Sequence, residues 1–197
     1  TVTVTSISGC TATASTTITV NPIPTAGITV SETSGTTPND GIICSGSTVT
    51  LTGTGGGTYA WSTGATTTSI TVNPAITTLY SVTVTSNGCT ATASTNITVN
   101  QGPLYTFSVT NPTNCNTSDG AISITMTAGQ APFTFAWTTP NGCGVNPTGQ
   151  NQSGLCAGAY FMTVTDNIGC SNTGTFSLDG PAPGCFSCPT IGTLTIT

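Results

Sequence analysis

The stretch SVTVTSNGCTATASTNITVN, from Ser81 to Asn100, decides the fold class of this chain. Valine and threonine alternate before a tight turn, and an alternation of period two places them on opposite faces of a strand. Threonine is β-branched, so it favours an extended backbone while its hydroxyl group stays solvated. The stretch is therefore predicted to form two strands joined by a turn, with the valine face buried and the threonine face in water.

A nearly identical stretch, TVTVTSISGCTATASTTITVN, opens the chain from Thr1 to Asn21. Threonine makes up about a quarter of the 197 residues and alternates with aliphatic residues. Glycine, proline, asparagine and serine interrupt these runs at short intervals, and no segment shows helical periodicity over a useful length. Short alternating strands separated by turn residues are typical of sandwiches. The sequence predicts an all-β protein with several short strands in each module.

Internal repeats define these modules. The segment TYAWST, which contains Trp61, matches TFAWTT, which contains Trp137. Further along, LYSVTVTSNGC, which ends at Cys89, matches AYFMTVTDNIGC, which ends at Cys170. Each repeat thus has a tryptophan strand, then a tyrosine strand, a turn and a cysteine.

The repeats predict where modules begin and end. Two complete modules are expected, and the opening residues match only the final hairpin of such a module. The sequence is therefore either a piece of a longer array of modules or a subunit whose ends do not coincide with the module boundaries. The predicted boundaries are 1–21 for the closing hairpin of an incomplete module, 22–101 and 102–181 for two β-sandwiches, and 182–197 for the opening strand of a further module.

Charge is nearly absent from this chain, which has no Lys, Arg or His and a net charge of -5. No side chain can clamp phosphate as arginine does, form a Schiff base as lysine does, or act as an imidazole base. Nucleic acid is excluded as a partner, and anionic membrane surfaces are disfavoured, because binding to both depends on basic residues. Membrane insertion is not expected either. We expect no enzyme activity, no catalytic residue and no cofactor. The five acids are Glu32, Asp40, Asp119, Asp166 and Asp179.

Three of the acids, Asp40, Asp119 and Asp166, stand in the turn sequences NDGI, SDGA and TDNIG. Asp-Gly and Asp-Asn are ordinary turn residues, and the acids do not cluster as a calcium loop requires. A glycosidase pair would have to be Asp119 with Asp166, and no lining aromatic residues accompany them. The CFSC motif at Cys185 and Cys188 has the spacing of a zinc knuckle, but no second CxxC or histidine completes it. We predict no metal site.

Nine cysteines in a chain of this size suit disulfides in an oxidising compartment, so an extracellular location is expected. No apolar run approaches the roughly 18 residues of a membrane span, and a piece of a secreted chain is expected. The first cysteine of each module is expected to bond the cysteine of its last hairpin, and two cysteines in an insertion are expected to form a local bridge. The predicted pairs are Cys44 with Cys89, Cys115 with Cys170 and Cys143 with Cys156.

The remaining cysteines suggest association between copies. Cys10 occupies the closing-hairpin position without the opening strands that should bury its hairpin. The C-terminal sequence CFSCPTIGTLTIT supplies Cys185 and Cys188 followed by an alternating strand. We hypothesise that this segment completes the N-terminal hairpin of the next copy by strand addition, with Cys10 bonded to Cys185 or Cys188. A window that cuts across a longer array would show the same fragmentary ends.

Five aromatic residues alternate on the two tryptophan strands, so their rings are expected to share one face. Core packing is the predicted role, and a sugar-stacking face is the alternative. The residues are Tyr59, Trp61, Phe133, Phe135 and Trp137.

At these motifs the chain resembles repeats of large surface proteins. Gly102 to Pro181, with CNTSDGAISITMTAGQAPFTFAW and LCAGAYFMTVTDNIGC, resembles the SprB-type repeat of giant surface adhesins of gliding Bacteroidota. Pro22 to Gln101, with ICSGSTVTLTGTGGGTYAWSTG, is similar to the Ig-like or PKD-like repeats of such proteins. The resemblance implies tandem Ig-like β-sandwich modules, export across the outer membrane, and display as filaments or adhesins. It brings no catalytic residues with it.

The leading functional hypothesis is a structural one: a disulfide-stapled extracellular filament or adhesin stalk that associates with itself, in attachment or gliding motility. The alternative is a surface that binds glycans or, through threonine ladders such as Thr66 to Thr71, ice. Ice binding needs a flat sheet, whereas sheets twist. Exposed rings on one face would favour glycan binding, and buried rings would favour the scaffold.

Overall fold

A computed structural model describes residues 1–114 and 117–180 of the chain. Every regular element among these residues is a β-strand. They include no helix of the length and apolar character that a membrane crossing requires. The strands are β1 (Val2–Thr5), β2 (Thr11–Ala14), β3 (Gly27–Ser31), β4 (Ile42–Cys44), β5 (Val49–Thr54), β6 (Thr58–Trp61), β7 (Ser69–Val72), β8 (Thr78–Ser86), β9 (Cys89–Asn100), β10 (Leu104–Thr110), β11 (Gly120–Ala128), β12 (Thr134–Thr138), β13 (Gln152–Leu155), β14 (Gly158–Thr165) and β15 (Ser171–Leu178).

The strands form five sheets, and the all-β class predicted from the sequence is confirmed. Two disulfides staple the described residues. The predicted opening strand at 182–197 lies outside those residues. The strand orders are β1-β2, β3-β5-β7, β4-β9-β8-β6, β10-β11-β13 and β12-β14-β15.

Contacts divide the chain into two compact units, each built from several segments. The first contains Thr1–Thr29, Leu51–Ile70 and Tyr80–Thr95. The second contains Val30–Thr50, Thr71–Leu79 and the described residues from Asn96 onward.

In the first unit the two predicted hairpin stretches meet different environments. Strands β1 and β2 pair antiparallel from Val2 with Ala14 to Thr5 with Thr11, and every residue of both strands is exposed. Strand β6 pairs antiparallel with β8, and Trp61 at its end is buried. The Trp61 indole donates a 2.8 Å hydrogen bond to the carbonyl oxygen of Thr67, so burial leaves its N–H satisfied.

The second unit contains a β-sandwich made of the sheets β10-β11-β13 and β12-β14-β15. Side chains from the inner faces of the two sheets form one core, because alternate residues of each strand point inward. The Trp137 indole lies in this core, 5.3 Å from the Phe176 ring between centroids, and donates a 2.8 Å hydrogen bond to the carbonyl oxygen of Gly149. The buried core residues are Ile122, Ile124, Phe135, Trp137, Leu155, Tyr160, Met162, Val164, Phe176 and Leu178.

One parallel strand pair also belongs to the second unit. Strand β4 runs parallel to the end of β9, with Ile42 opposite Thr98 and Cys44 opposite Asn100. The backbone N–H of Ser45 continues the pairing by donating 2.8 Å to the carbonyl oxygen of Asn100. This register places Cys44 beside the last residue of β9.

The insertion between β12 and β14 is closed by the expected bond between Cys143 and Cys156, whose Cα atoms lie 5.2 Å apart. The buried hydroxyl of Tyr160 lies between the two cysteines, 3.0 Å from the Cys143 carbonyl oxygen and 2.8 Å from that of Cys156. It also accepts the N–H of Cys143 at 3.1 Å. Burial raises the pKa of Tyr160, so the phenol remains a neutral donor.

Candidate functional site

The structure joins Cys44 to Cys170, with Cα atoms 5.5 Å apart and 126 residues between them in sequence. The predicted bond of Cys44 with Cys89 is therefore wrong, and so is that of Cys115 with Cys170. Cys89 begins β9 and Cys44 pairs with its last residue, Asn100. Eleven residues at roughly 3.3 Å each separate the two ends by about 35 Å, whereas disulfide Cα atoms lie within about 7 Å.

Hydrogen bonds surround this disulfide. The side-chain amide of Asn100 donates 2.8 Å to Asp166 and lies 3.3 Å from the Cys170 sulfur. The N–H of Thr36 donates 2.8 Å to the carbonyl oxygen of Ile168 in the same turn. We call Thr36, Cys44, Asn100, Asp166 and Cys170 the locked junction, because a covalent bond fixes it and because it joins segments of the two predicted modules.

Asp166 shapes the turn that presents Cys170. Its carboxylate is buried, and one oxygen accepts the backbone N–H groups of Ile168 at 3.1 Å and Cys170 at 2.9 Å. The N–H of Asp166 in turn donates 2.9 Å to the Cys170 carbonyl oxygen. The predicted turn role of Asp166 is confirmed, and its carboxylate also accepts the hydrogen bond from the Asn100 side-chain amide.

Two glycines allow the backbones at the locked junction to approach each other. Gly169 has φ of +89°, and a Cβ there would lie 3.0 Å from Gly35 and Thr36 backbone atoms. Gly35 has φ of +80°, and its Cβ would lie 2.9 Å from the Ile168 carbonyl oxygen. Any larger residue meets both unfavourable φ and backbone contact.

A second, related arrangement occurs in the first unit. The Asn21 side-chain amide donates 2.9 Å to the carbonyl oxygen of Asn87, and the Cys89 thiol donates to the Asn21 carbonyl oxygen at 3.7 Å. Asn21 ends TVN in the first repeat as Asn100 does in the second, and Cys89 has the repeat position of Cys170. The Cys89 thiol is free. We call Asn21, Asn87 and Cys89 the open junction.

The N-terminal stretch that leads to the open junction exposes apolar residues whose counterparts in the stretch 81–100 are buried. We call Val2, Val4, Ile18 and Val20 the hairpin face; they are 60%, 64%, 84% and 85% exposed. Val82, Val84 and Ile97, the repeat counterparts of Val2, Val4 and Ile18, are 0% exposed. Nothing in the part of the chain that the structure describes covers this face as its counterpart is covered. Cys10, in the turn of the same hairpin, has an exposed free thiol.

Three cysteines for which disulfides were predicted, Cys115, Cys185 and Cys188, lie outside the described residues.

The acidic residues lie within the described part of the chain. Glu32 is buried and accepts the N–H groups of Ser34 at 2.6 Å and Asp40 at 3.2 Å. It orders the loop before β4, a role that the sequence pattern did not reveal.

Asp119 is an exposed turn acceptor. The Thr113 hydroxyl and N–H, at 2.6 and 2.9 Å, and the Thr117 hydroxyl, at 2.8 Å, donate to its carboxylate. These bonds, those from Thr113 foremost, lower the pKa of Asp119 to about 2. Among the described residues, no three Cys, Asp or Glu side chains are grouped as a metal site would require.

The aromatic residues lie where the core prediction places them. Trp61 and Trp137 are 4% and 3% exposed, Phe135 is buried, and Tyr59 and Phe133 are partly buried. Neither indole is available as a stacking surface, so the core prediction for both tryptophans is confirmed.

The two asparagines at the junctions were missed by sequence reasoning. Asparagine is common where a strand passes into a turn, so neither Asn21 nor Asn100 is conspicuous by itself. The signal that could have found them is the repeat itself, because ITVN ends both hairpin stretches, at Asn21 and at Asn100.

Comparison with known proteins identifies one part of the chain. Residues 103–142 match the family model of the SprB repeat, so the predicted SprB-type repeat is confirmed there. The chain is therefore an all-β protein with internal repeats, and residues 103–142 of it carry an SprB repeat. No curated protein sequence matches the chain.

Solved structures with low likeness include multidomain proteins. Murine CEACAM1b is 13% identical, with 78% of this chain and 99% of that chain covered and a TM-score of 0.35. The three N-terminal domains of the bacteriophage RB49 outer capsid protein Hoc are 18% identical, with 77% and 59% covered and a TM-score of 0.32. An I-band fragment of titin is 11% identical, with 79% and 60% covered and a TM-score of 0.33.

Proposed function

We propose that this chain is a structural segment of an extracellular filament or adhesin stalk that serves cell-surface attachment or gliding motility. The observation that carries the proposal is the Cys44–Cys170 disulfide. It links the opening segment of one sequence repeat to the closing hairpin of the next, so tension along the array is borne partly by a covalent bond. The SprB repeat supports a place at the cell surface.

The disulfide also supports an extracellular location, because such bonds persist in oxidising compartments. A loop of 126 residues restricts the unfolded chain strongly. In the chain-entropy model, its closure contributes roughly 4 to 5 kcal/mol to stability. This is a large share of the 5 to 15 kcal/mol that typical domains possess.

The surface composition suits an exposed fibre that associates with itself. Without Lys or Arg the chain has no site for trypsin-type proteases. Its sheet edges also lack the lysines that usually discourage edge-to-edge pairing. Copies of the chain are therefore the partners that we propose, arranged as a homopolymer or tandem array by end-to-end strand completion.

Gold labelling of unpermeabilised cells that produce the protein tests the proposal. An antibody against the SprB segment is expected to decorate the cell surface or filaments that extend from it. Antibody against a cytoplasmic protein should label only permeabilised cells, which controls for leakage. Label confined to permeabilised cells would contradict an extracellular structural role.

A further inference from the structure

The open junction has counterparts of Asn100 and Cys170 but lacks the strand that carries a partner cysteine at the locked junction. At the locked junction, β4 lies parallel to the end of β9 and brings Cys44 beside Asn100 and into a bond with Cys170. At the open junction, Asn21 occupies the Asn100 position and Cys89 the Cys170 position. Residues 15–21 belong to no strand, and none of the described strands pairs with them.

The hairpin face gives an independent reason to expect an incoming strand. Its residues are more than half exposed, whereas three of the same residue types at the repeated positions are fully buried. Four apolar side chains that remain in water are unfavourable, because their burial would remove apolar surface from water. A two-stranded hairpin alone is only marginally stable in water. An added strand would both bury the hairpin face and pair with the backbone of residues 15–21, which no described strand pairs with.

We propose that residues 182–197 of a second copy dock along residues 18–21 and form a disulfide with Cys89. The sequence of this segment supplies Cys185 and Cys188, followed by Ile191, Leu194 and Ile196 in a threonine-rich strand pattern. In β4 and β5, Cys44 is likewise followed by the buried Val49 and Leu51. The inference deepens the proposed filament function and rests on it, because it names the partner and the bond.

The geometry assigns the bond to Cys89, whereas sequence reasoning predicted Cys10. At the locked junction, the turn cysteine that bonds Cys44 is Cys170, which belongs to the following repeat. Cys89, the turn cysteine of the repeat that contains Cys44, remains free. By the same rule, a strand that pairs beside Asn21 meets Cys89.

Bond formation is a two-electron oxidation, and a small-molecule disulfide such as oxidised glutathione serves as the oxidant. The Cys89 thiolate attacks one sulfur of the oxidant and releases one thiol, which leaves a mixed disulfide. The incoming cysteine thiolate then displaces the second thiol and forms the protein disulfide. The oxidant gains the two electrons, and its two thiols take up the two protons.

Isotope mixing tests the proposal on the full chain. Equal amounts of unlabelled and ¹⁵N-labelled chain are incubated in glutathione redox buffer, thiols are blocked, and chymotrypsin digests the product. Cleavage after Tyr80 and Tyr105 isolates Cys89, and cleavage after Phe186 separates Cys185 from Cys188. The expected result is hybrid-mass peptides that link Cys89 to Cys185 or Cys188 of another copy.

Two variants distinguish the alternatives. Cys89→Ser is expected to reduce covalent multimers at least ten-fold, whereas Cys10→Ser should leave them unchanged. The intact Cys44–Cys170 peptide in each variant shows that folding is retained. A link through Cys10, or wild-type monomers that keep a free Cys89 thiol, would overturn the proposal. Surface labelling of cells is independent of both outcomes, so the filament proposal can hold even if this bond does not form.

Discussion

The side-chain amide of Asn100 donates a 2.8 Å hydrogen bond to the carboxylate of Asp166, 66 residues further along the chain. Asp166 is 5% exposed, and no basic residue exists in the sequence to compensate its charge. The N–H groups of Gln130, Ile168 and Cys170 also donate to it. A buried carboxylate held only by neutral donors depends on each of them.

Asn100→Ala removes one of these donors and is expected to destabilise the protein by about 1 to 3 kcal/mol, the usual cost of an unsatisfied buried acceptor. Urea unfolding measures the change. The matched control is Asn21→Ala at the open junction, where the amide bonds an exposed carbonyl and its loss should cost less than about 0.5 kcal/mol. Equal costs for the two variants would contradict the account of the locked junction.

Gly169→Ala tests the close approach at the locked junction. Gly169, Gly88 and Gly9 each precede the turn cysteine of their hairpin and have φ of +89°, +80° and +82°. Alanine therefore brings similar backbone strain, about 1 kcal/mol, at all three positions. Only at Gly169 does the new Cβ also meet backbone atoms, at 3.0 Å, whereas at the other two nothing lies within 4 Å.

We therefore expect Gly169→Ala to lower the free energy of unfolding by at least about 1 kcal/mol more than Gly9→Ala or Gly88→Ala does. Thermal and urea unfolding of the three variants supply the comparison. If the three substitutions cost the same, the turn does not pack at the junction as described.

The tryptophans should be the most costly core residues to truncate. Trp61→Ala and Trp137→Ala are each expected to cost about 3 to 5 kcal/mol, because both remove a buried indole and leave a cavity. Phe161→Ala, at a side chain that is 42% exposed, is the control and should cost less than about 1 kcal/mol. Indoles readily quenched by iodide in the native protein would instead favour the sugar-stacking alternative.

Asp119 should titrate well below an ordinary aspartate. Its pKa of about 2 in the folded protein lies below the ordinary aspartate value of 3.8, so the ionised form stabilises the turn. The contribution is fully present above pH 3.8 and is lost as the pH falls through about 2. Carbon-13 NMR of the side chain follows the titration, and Thr113→Val is expected to raise the pKa. A wild-type midpoint near 3.8 would show that the threonine bonds do not form in solution.

The sequence predicted the features that depend on local pattern. Alternation of Val82, Thr83 and Val84 predicted strands with one buried face, and the repeat of the tryptophan motif predicted that Trp61 and Trp137 occupy equivalent core positions. Such predictions succeed because period and residue type are properties of neighbouring residues.

The disulfide connectivity was not accessible in this way. Cys44 reaches Cys170 only because β4 pairs parallel to the far end of β9, and no local pattern encodes the direction of a pairing between distant strands. Equivalent positions in two repeats suggested bonds within each repeat, although the same equivalence also allows a bond from one repeat to the next. The role of Asn100 was hidden for the same reason.

Disulfide mapping under non-reducing conditions tests the central claim most directly. Chymotrypsin is suitable because aromatic residues separate Cys44 from Cys89 and both from Cys170, and the chain has no site for trypsin. One peptide pair is predicted to join Cys44 to Cys170, and the Cys143–Cys156 bond is predicted to close a loop within a single peptide, because no aromatic residue separates these two cysteines. A peptide pair that joins Cys44 to Cys89 would contradict the central claim, because each repeat would then be closed on itself and no covalent bond would link one repeat to the next.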